Sequence, residues 1–152
     1  MGLSRYLHDY LRNLLEAGPL SYPQPATLPG LRPHFRQCHI VAEMVQNQRH
    51  WPMVVGIQFL DLFGKLYPWP HVVNQRDGQL LDFSGGADQP FLGYVVTGFD
   101  QVNEFNAIVA AYDTMNADQQ SPRWTDPLAQ SLSDDFLERL RSVARFPPRV
   151  DL

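Results

Sequence analysis

The dipeptide Asp77-Gly78 constrains this chain more than any other feature, because it separates two short runs, His71 to Asn74 and Gln79 to Phe83. Asp-Gly favours the positive φ angles of a two-residue turn whose twist matches that of paired strands. The stretch is therefore expected to form a β-hairpin. A two-residue turn also fixes the register, setting Val73 opposite Asp82 and His71 opposite Ser84. His71 and Asp82 then share a face as diagonal neighbours, roughly 7–8 Å apart at the backbone, a gap their side chains can close to a hydrogen bond. A three-residue loop would put them on opposite faces.

Around this hairpin the chain reads as a single α+β domain, residues 1–152, with an antiparallel sheet drawn from Met53 to Thr97. Leu3, Tyr6, Leu7, Tyr10, Leu11, Leu14 and Leu15 recur at steps of three and four, which predicts an amphipathic N-terminal helix within residues 1–18. Five prolines between Pro19 and Pro33 predict an extended loop over 19–33. The core is expected over 34–115. It starts with a helix to about Asn47 that carries Cys38 in its first turn or two, followed by a buried strand from Met53 to Leu60. Tyr67-Pro68-Trp69-Pro70 reads as a stiff connection into His71, and Phe91 to Thr97 as a further strand. Asp100 is the expected N-cap of a helix presenting Val102, Phe105, Ile108 and Val109. Ser133 caps a predicted last helix, residues 132–146, which stops at Pro147-Pro148.

Cys38 is the only cysteine. A thiol at a helix start, a histidine on a strand and an aspartate on the next strand are the groups that a cysteine nucleophile requires. Asp82 would fix the orientation of His71 and stabilise its imidazolium, His71 would take the thiol proton, and Cys38 would attack. Amide N–H groups at the helix start would stabilise an oxyanion, with the Gln37 side chain as an additional donor.

The order Cys38, His71, Asp82 resembles the papain-like superfamily, and within it the transglutaminase-like and arylamine N-acetyltransferase-like branch. The resemblance implies a helix that carries the cysteine and packs on an antiparallel sheet supplying the other two residues. It implies that Cys38, His71 and Asp82 form a triad acting on acyl or amide groups through a thioester, as an amidase, protease, deamidase or acyl transferase, with no cofactor. Cys38 lacks the glycine-rich surroundings of papain-type proteases, and Val73 stands where transglutaminase-like members often have an aromatic. By analogy with small effectors and toxins, the expected substrate is a protein or peptide.

Net charge of −4 argues against a nucleic-acid partner, since such binding rests on clustered Lys and Arg. No apolar run is long enough to span a bilayer, and the N-terminus lacks the apolar core of a secretory signal. The expected location is the cytoplasm, or outside the cell by export without a cleavable signal. A lone cysteine gives no sign of disulfide chemistry. His34, Cys38, His39, His50 and His71 contain no paired spacing of the kind metal sites use, so no metal is expected. The competing reading makes Cys38 a small buried hydrophobe and the domain a non-catalytic binding or immunity-type module.

Overall fold

A computed structural model describes residues 9–14, 20–34, 37–62, 65–85, 89–117 and 149–152. The expected C-terminal helix over 132–146 lies outside these residues. The described elements follow in the order α1 (residues 9–14), β1 (Leu20–Ser21), β2 (Gln24–Thr27), α2 (Cys38–Arg49), β3 (Met53–Leu62), β4 (Lys65–Arg76), β5 (Gln79–Asp82), β6 (Phe91–Val95), α3 (Phe99–Ala117) and β7 (Val150–Asp151). The architecture is α+β, with a seven-stranded sheet in the order β1-β6-β3-β4-β5-β2-β7.

The hairpin forms in the expected register. Asn74, Gln75 and Arg76 pair with Leu81, Leu80 and Gln79, and the turn residues Asp77 and Gly78 adopt φ of 50° and 80°. These two positive angles define the turn family whose twist suits a hairpin.

Two expectations for proline-rich segments are corrected. The stretch over 19–33 is more than a loop, because it supplies β1 and β2. These pair along only two residues each with β6, β5 and β7, so few amide donors are needed. Tyr67 to Pro70 is likewise part of β4. The Gln75 amide donates to the Pro52 carbonyl on the β3 side, so alternation turns the amide positions of Pro68 and Pro70 toward the opposite side. On that side the β4–β5 ladder consists of Asn74, Gln75 and Arg76 alone. The missing N–H groups thus fall where the ladder does not require them. The sheet is also mixed rather than wholly antiparallel, since β2 runs parallel to both β5 and β7.

The short reach from Ser21 to Gln24 forces the sheet to close. β1 pairs with β6 and β2 with β5, at opposite edges of the run β6-β3-β4-β5. In a flat sheet β1 and β2 would stand five strand spacings apart, roughly 24 Å. Three residues of extended chain span at most about 11 Å. The strands must therefore curl into a barrel, with Leu20 to Thr27 sealing the seam.

Register then sorts the side chains. Val54, Gln58, His71, Val73, Leu80, Asp82 and Phe91 occupy the inner face, and all are buried. Val55, Val72, Leu81 and Phe83 occupy the outer face, where Val41, Ala42 and Val45 of α2 and Phe105 of α3 cover them. Burying each such aliphatic side chain contributes on the order of 1.5–3 kcal/mol. Asn74 ties α2 to the sheet by donating to the carbonyls of Ala42 and Trp51.

Helix ends are set by specific bonds. His50 closes α2 with φ of 59°, and its N–H donates to the Gln46 carbonyl. Asp100 lies inside the first turn of α3 instead of capping it. The Gln101 side chain accepts from the Gly98 and Thr97 amides instead, as the third helical residue does in a capping box.

Candidate active site

The hairpin register brings His71 and Asp82 together as its alternation requires. His71 Nε2 and Asp82 Oδ2 are 2.8 Å apart in a buried contact. His71 has no exposed surface, and Asp82 is 5% exposed. The second carboxylate oxygen is also engaged, since the Ser84 amide and hydroxyl both donate to Oδ1, at 2.9 and 2.5 Å. Asp82 therefore has both oxygens held, and its plane is fixed relative to the imidazole.

Two glycines shape the packing beside the ring. Gly56 lies opposite both His71 and Gly93 in the ladders. A Cβ at Gly56 would fall 2.0 Å from the Leu92 carbonyl oxygen, and one at Gly93 would fall 2.5 Å from the Phe91 ring. Without those carbons, the Phe91 ring lies over Gly93 and meets the imidazole edge-on, with centroids 6.2 Å apart. His71 is thus packed by an aromatic edge and oriented by a carboxylate.

Cys38 is the first residue of α2 and is partly exposed. It packs beside Ala42, Val55 and Val72. Alternation puts Val72 and His71 on opposite faces of β4, so helix and imidazole do not meet across the main packing surface. The Cys38 thiol is nevertheless near enough to His71 to help raise its pKa. With Nε2 held by Asp82, Nδ1 is the ring nitrogen that proton exchange with a thiol would have to use.

The electrostatics follow from these contacts. Burial pulls the His71 pKa down, but bonds to Asp82 and Cys38 and the charges of both override it and raise the value from 6.5 to about 10. Burial also works against ionisation of Asp82, yet the bond and charge of His71 and the two Ser84 donors hold its carboxyl below the ordinary value of 3.8. Both shifts favour an imidazolium–carboxylate pair at neutral pH.

No protein-family model, curated protein or solved structure matches this chain. The chemistry of the site therefore has to be argued from its own residues.

Gln37 occupies the N-cap position, but its exposed side chain makes no capping bond. Its amide donates to the His34 carbonyl, and no acidic residue occupies the first turn of α2. The first amides of a helix have no acceptor within it, so those at the start of α2 can donate to a group outside the helix. Among the described residues, no group of three or more His, Cys, Asp or Glu is arranged to hold a metal ion. Nor is any described helix long and apolar enough to cross a membrane.

Sequence reasoning overlooked Ser84 and Phe91. Ser84 was visible in the register, since it falls opposite His71 and two residues after Asp82, a spacing at which a hydroxyl and amide readily bond an aspartate. Phe91 had no local signal, because its contact with His71 depends on the glycines of β3 and β6.

Proposed function

We propose that the protein is a cysteine-dependent hydrolase or acyl transferase, built on a papain-like core, in which Cys38 is the nucleophile, His71 the acid–base and Asp82 the residue that orients it. The observation that supports this reading is the buried His71–Asp82 bond, with Cys38 opening the helix packed on the same strand. In the first step the Cys38 sulfur, as the thiolate whose proton is held on His71, attacks the acyl carbon and a sulfur–carbon bond forms. The bond to the leaving amine breaks, and His71 Nδ1 gives that amine a proton. In the second step water or an acceptor amine attacks the thioester, His71 takes its proton, and the sulfur–carbon bond breaks. The N–H groups at the start of α2, with the Gln37 carboxamide, stabilise the oxyanion of both steps. A protein or peptide amide is the substrate class, and the chemistry requires no cofactor.

One observation favours the second reading, a non-catalytic binding module of the same architecture. His71 faces the inside of the closed sheet with no exposed surface, where a His–Asp pair can serve solely to tie strands together. Intact-mass analysis after incubation with activated acyl esters and thioesters distinguishes the two. The enzyme gains one acyl group on Cys38 that later turns over, and His71→Ala abolishes the gain. A chain that acquires no acyl group, or acquires it equally in His71→Ala, is a binding module.

A further inference from the structure

We propose that a cleft between the β4–β5 turn and the Leu20–Thr27 stretch binds a neutral, hydroxyl-rich ligand, with one uncharged sugar residue as the fitting size. The cleft encloses about 290 Å³ and lies at one mouth of the closed sheet, where the cross-strand pair Gln75 and Leu80 meets Ser21, Tyr22, Gln24 and Gln79. Leu80 belongs to the inner apolar cluster with Val54, Val73 and Phe91 and forms an apolar patch in the wall.

Three features define the ligand chemistry. Among the described residues no charged side chain lines the cleft, so they offer nothing to neutralise a phosphate, a carboxylate or an ammonium group. Its polar wall is made of amides and hydroxyls, each presenting donors and acceptors close together, and Gln79 Nε2 donates to Gln24 Oε1, which orients both carboxamides. Ser21 lines this wall, with its Oγ buried beneath the surface and without a hydrogen-bond partner among the described residues, a deficit that a ligand hydroxyl can make good once the side chain turns toward the cleft. Tyr22 adds an aromatic ring beside these groups. Vicinal sugar hydroxyls, each a donor and an acceptor, match this array. A peptide strand does not, because it would need an unpaired sheet edge, and Leu20 and Ser21 are paired with Leu92 and Phe91 while Gln24 and Pro25 are paired with Leu81 and Asp82.

Saturation-transfer NMR on the whole chain tests this site independently of Cys38. The probes are glucose, galactose, mannose and N-acetylglucosamine, with glucuronate, glucose 6-phosphate and a blocked glutamine amide as counter-probes. At least one neutral sugar is expected to receive saturation, with affinity falling roughly fivefold in Gln75→Leu and in Ser21→Ala, the effect of one lost hydrogen bond. Binding should be unchanged in Cys38→Ser. Gln75 is only half-buried and Ser21→Ala removes an unpartnered hydroxyl, so both variants are expected to fold. The proposal is overturned if no neutral sugar receives saturation, if both variants bind as the parent does, or if only a counter-probe binds.

Discussion

Replacing Asp82 by Asn tests the electrostatic logic of the site with little change of shape. His71 is fully buried, and burial is the largest single influence on it, acting against the charged ring. The hydrogen bond and charge of Asp82 are what chiefly reverse that influence and carry the pKa to about 10. In Asp82→Asn the carboxylate charge is gone, and burial is opposed by Cys38 without its main ally. The imidazole is then expected to titrate at or below its ordinary value of 6.5. A fall from about 10 to 6.5 corresponds to roughly 5 kcal/mol lost from the charged form. That figure is close to the ~3–5 kcal/mol expected when one partner of a buried pair is removed. Long-range ¹H–¹⁵N correlation spectra of the His71 ring, followed from pH 5 to about 11, read the change directly. A parent protein whose His71 titrates near 6.5, or a variant whose ring titrates where the parent's does, would refute the reasoning.

Gly56→Ala should destabilise the protein by roughly 1–3 kcal/mol or more in urea unfolding, because its Cβ would fall 2.0 Å from the Leu92 carbonyl oxygen; an unchanged midpoint would contradict the close approach of β3 and β6. Asn74→Leu should cost about 2–4 kcal/mol, since the two carbonyls of Ala42 and Trp51 lose their donor, and α2 amides should exchange faster with solvent. Thermal stability should be greatest between about pH 4 and 6.5. The raised His71 contributes fully below 6.5 and its contribution is lost as pH climbs toward 10, whereas the depressed Asp82 contributes above 3.8 and its contribution is lost as pH falls further. Scanning calorimetry of the parent against His71→Gln checks both limbs, and a parent curve that stays flat from pH 6.5 to 10 would contradict the first.

The hairpin was legible because Asp77-Gly78 is a local signal whose geometry leaves few alternatives, and the His71–Asp82 bond followed from register alone. The helix starting at Cys38 was legible in kind, from the spacing of Val41, Ala42 and Val45. Barrel closure was hidden for a physical reason. Prolines near Pro25 and Pro68 signal the absence of amide donors, and a one-dimensional reading cannot tell which side of a strand lacks a neighbour. The same blindness concealed which way the His71 face points. Alternation states that His71 and Asp82 share a face, but only the closing stretch from Leu20 to Thr27 decides that this face is the inside.

The central claim, that the His71–Asp82 pair activates Cys38, is tested most directly by the rate of Cys38 alkylation with iodoacetamide as a function of pH. An ordinary thiol, titrating near 8.5, slows on the order of 100-fold between pH 9 and pH 6. The parent protein is expected to react faster than His71→Ala at pH 6 and to slow less over that range. Alkylation of the parent that falls as steeply as that of His71→Ala would contradict the account.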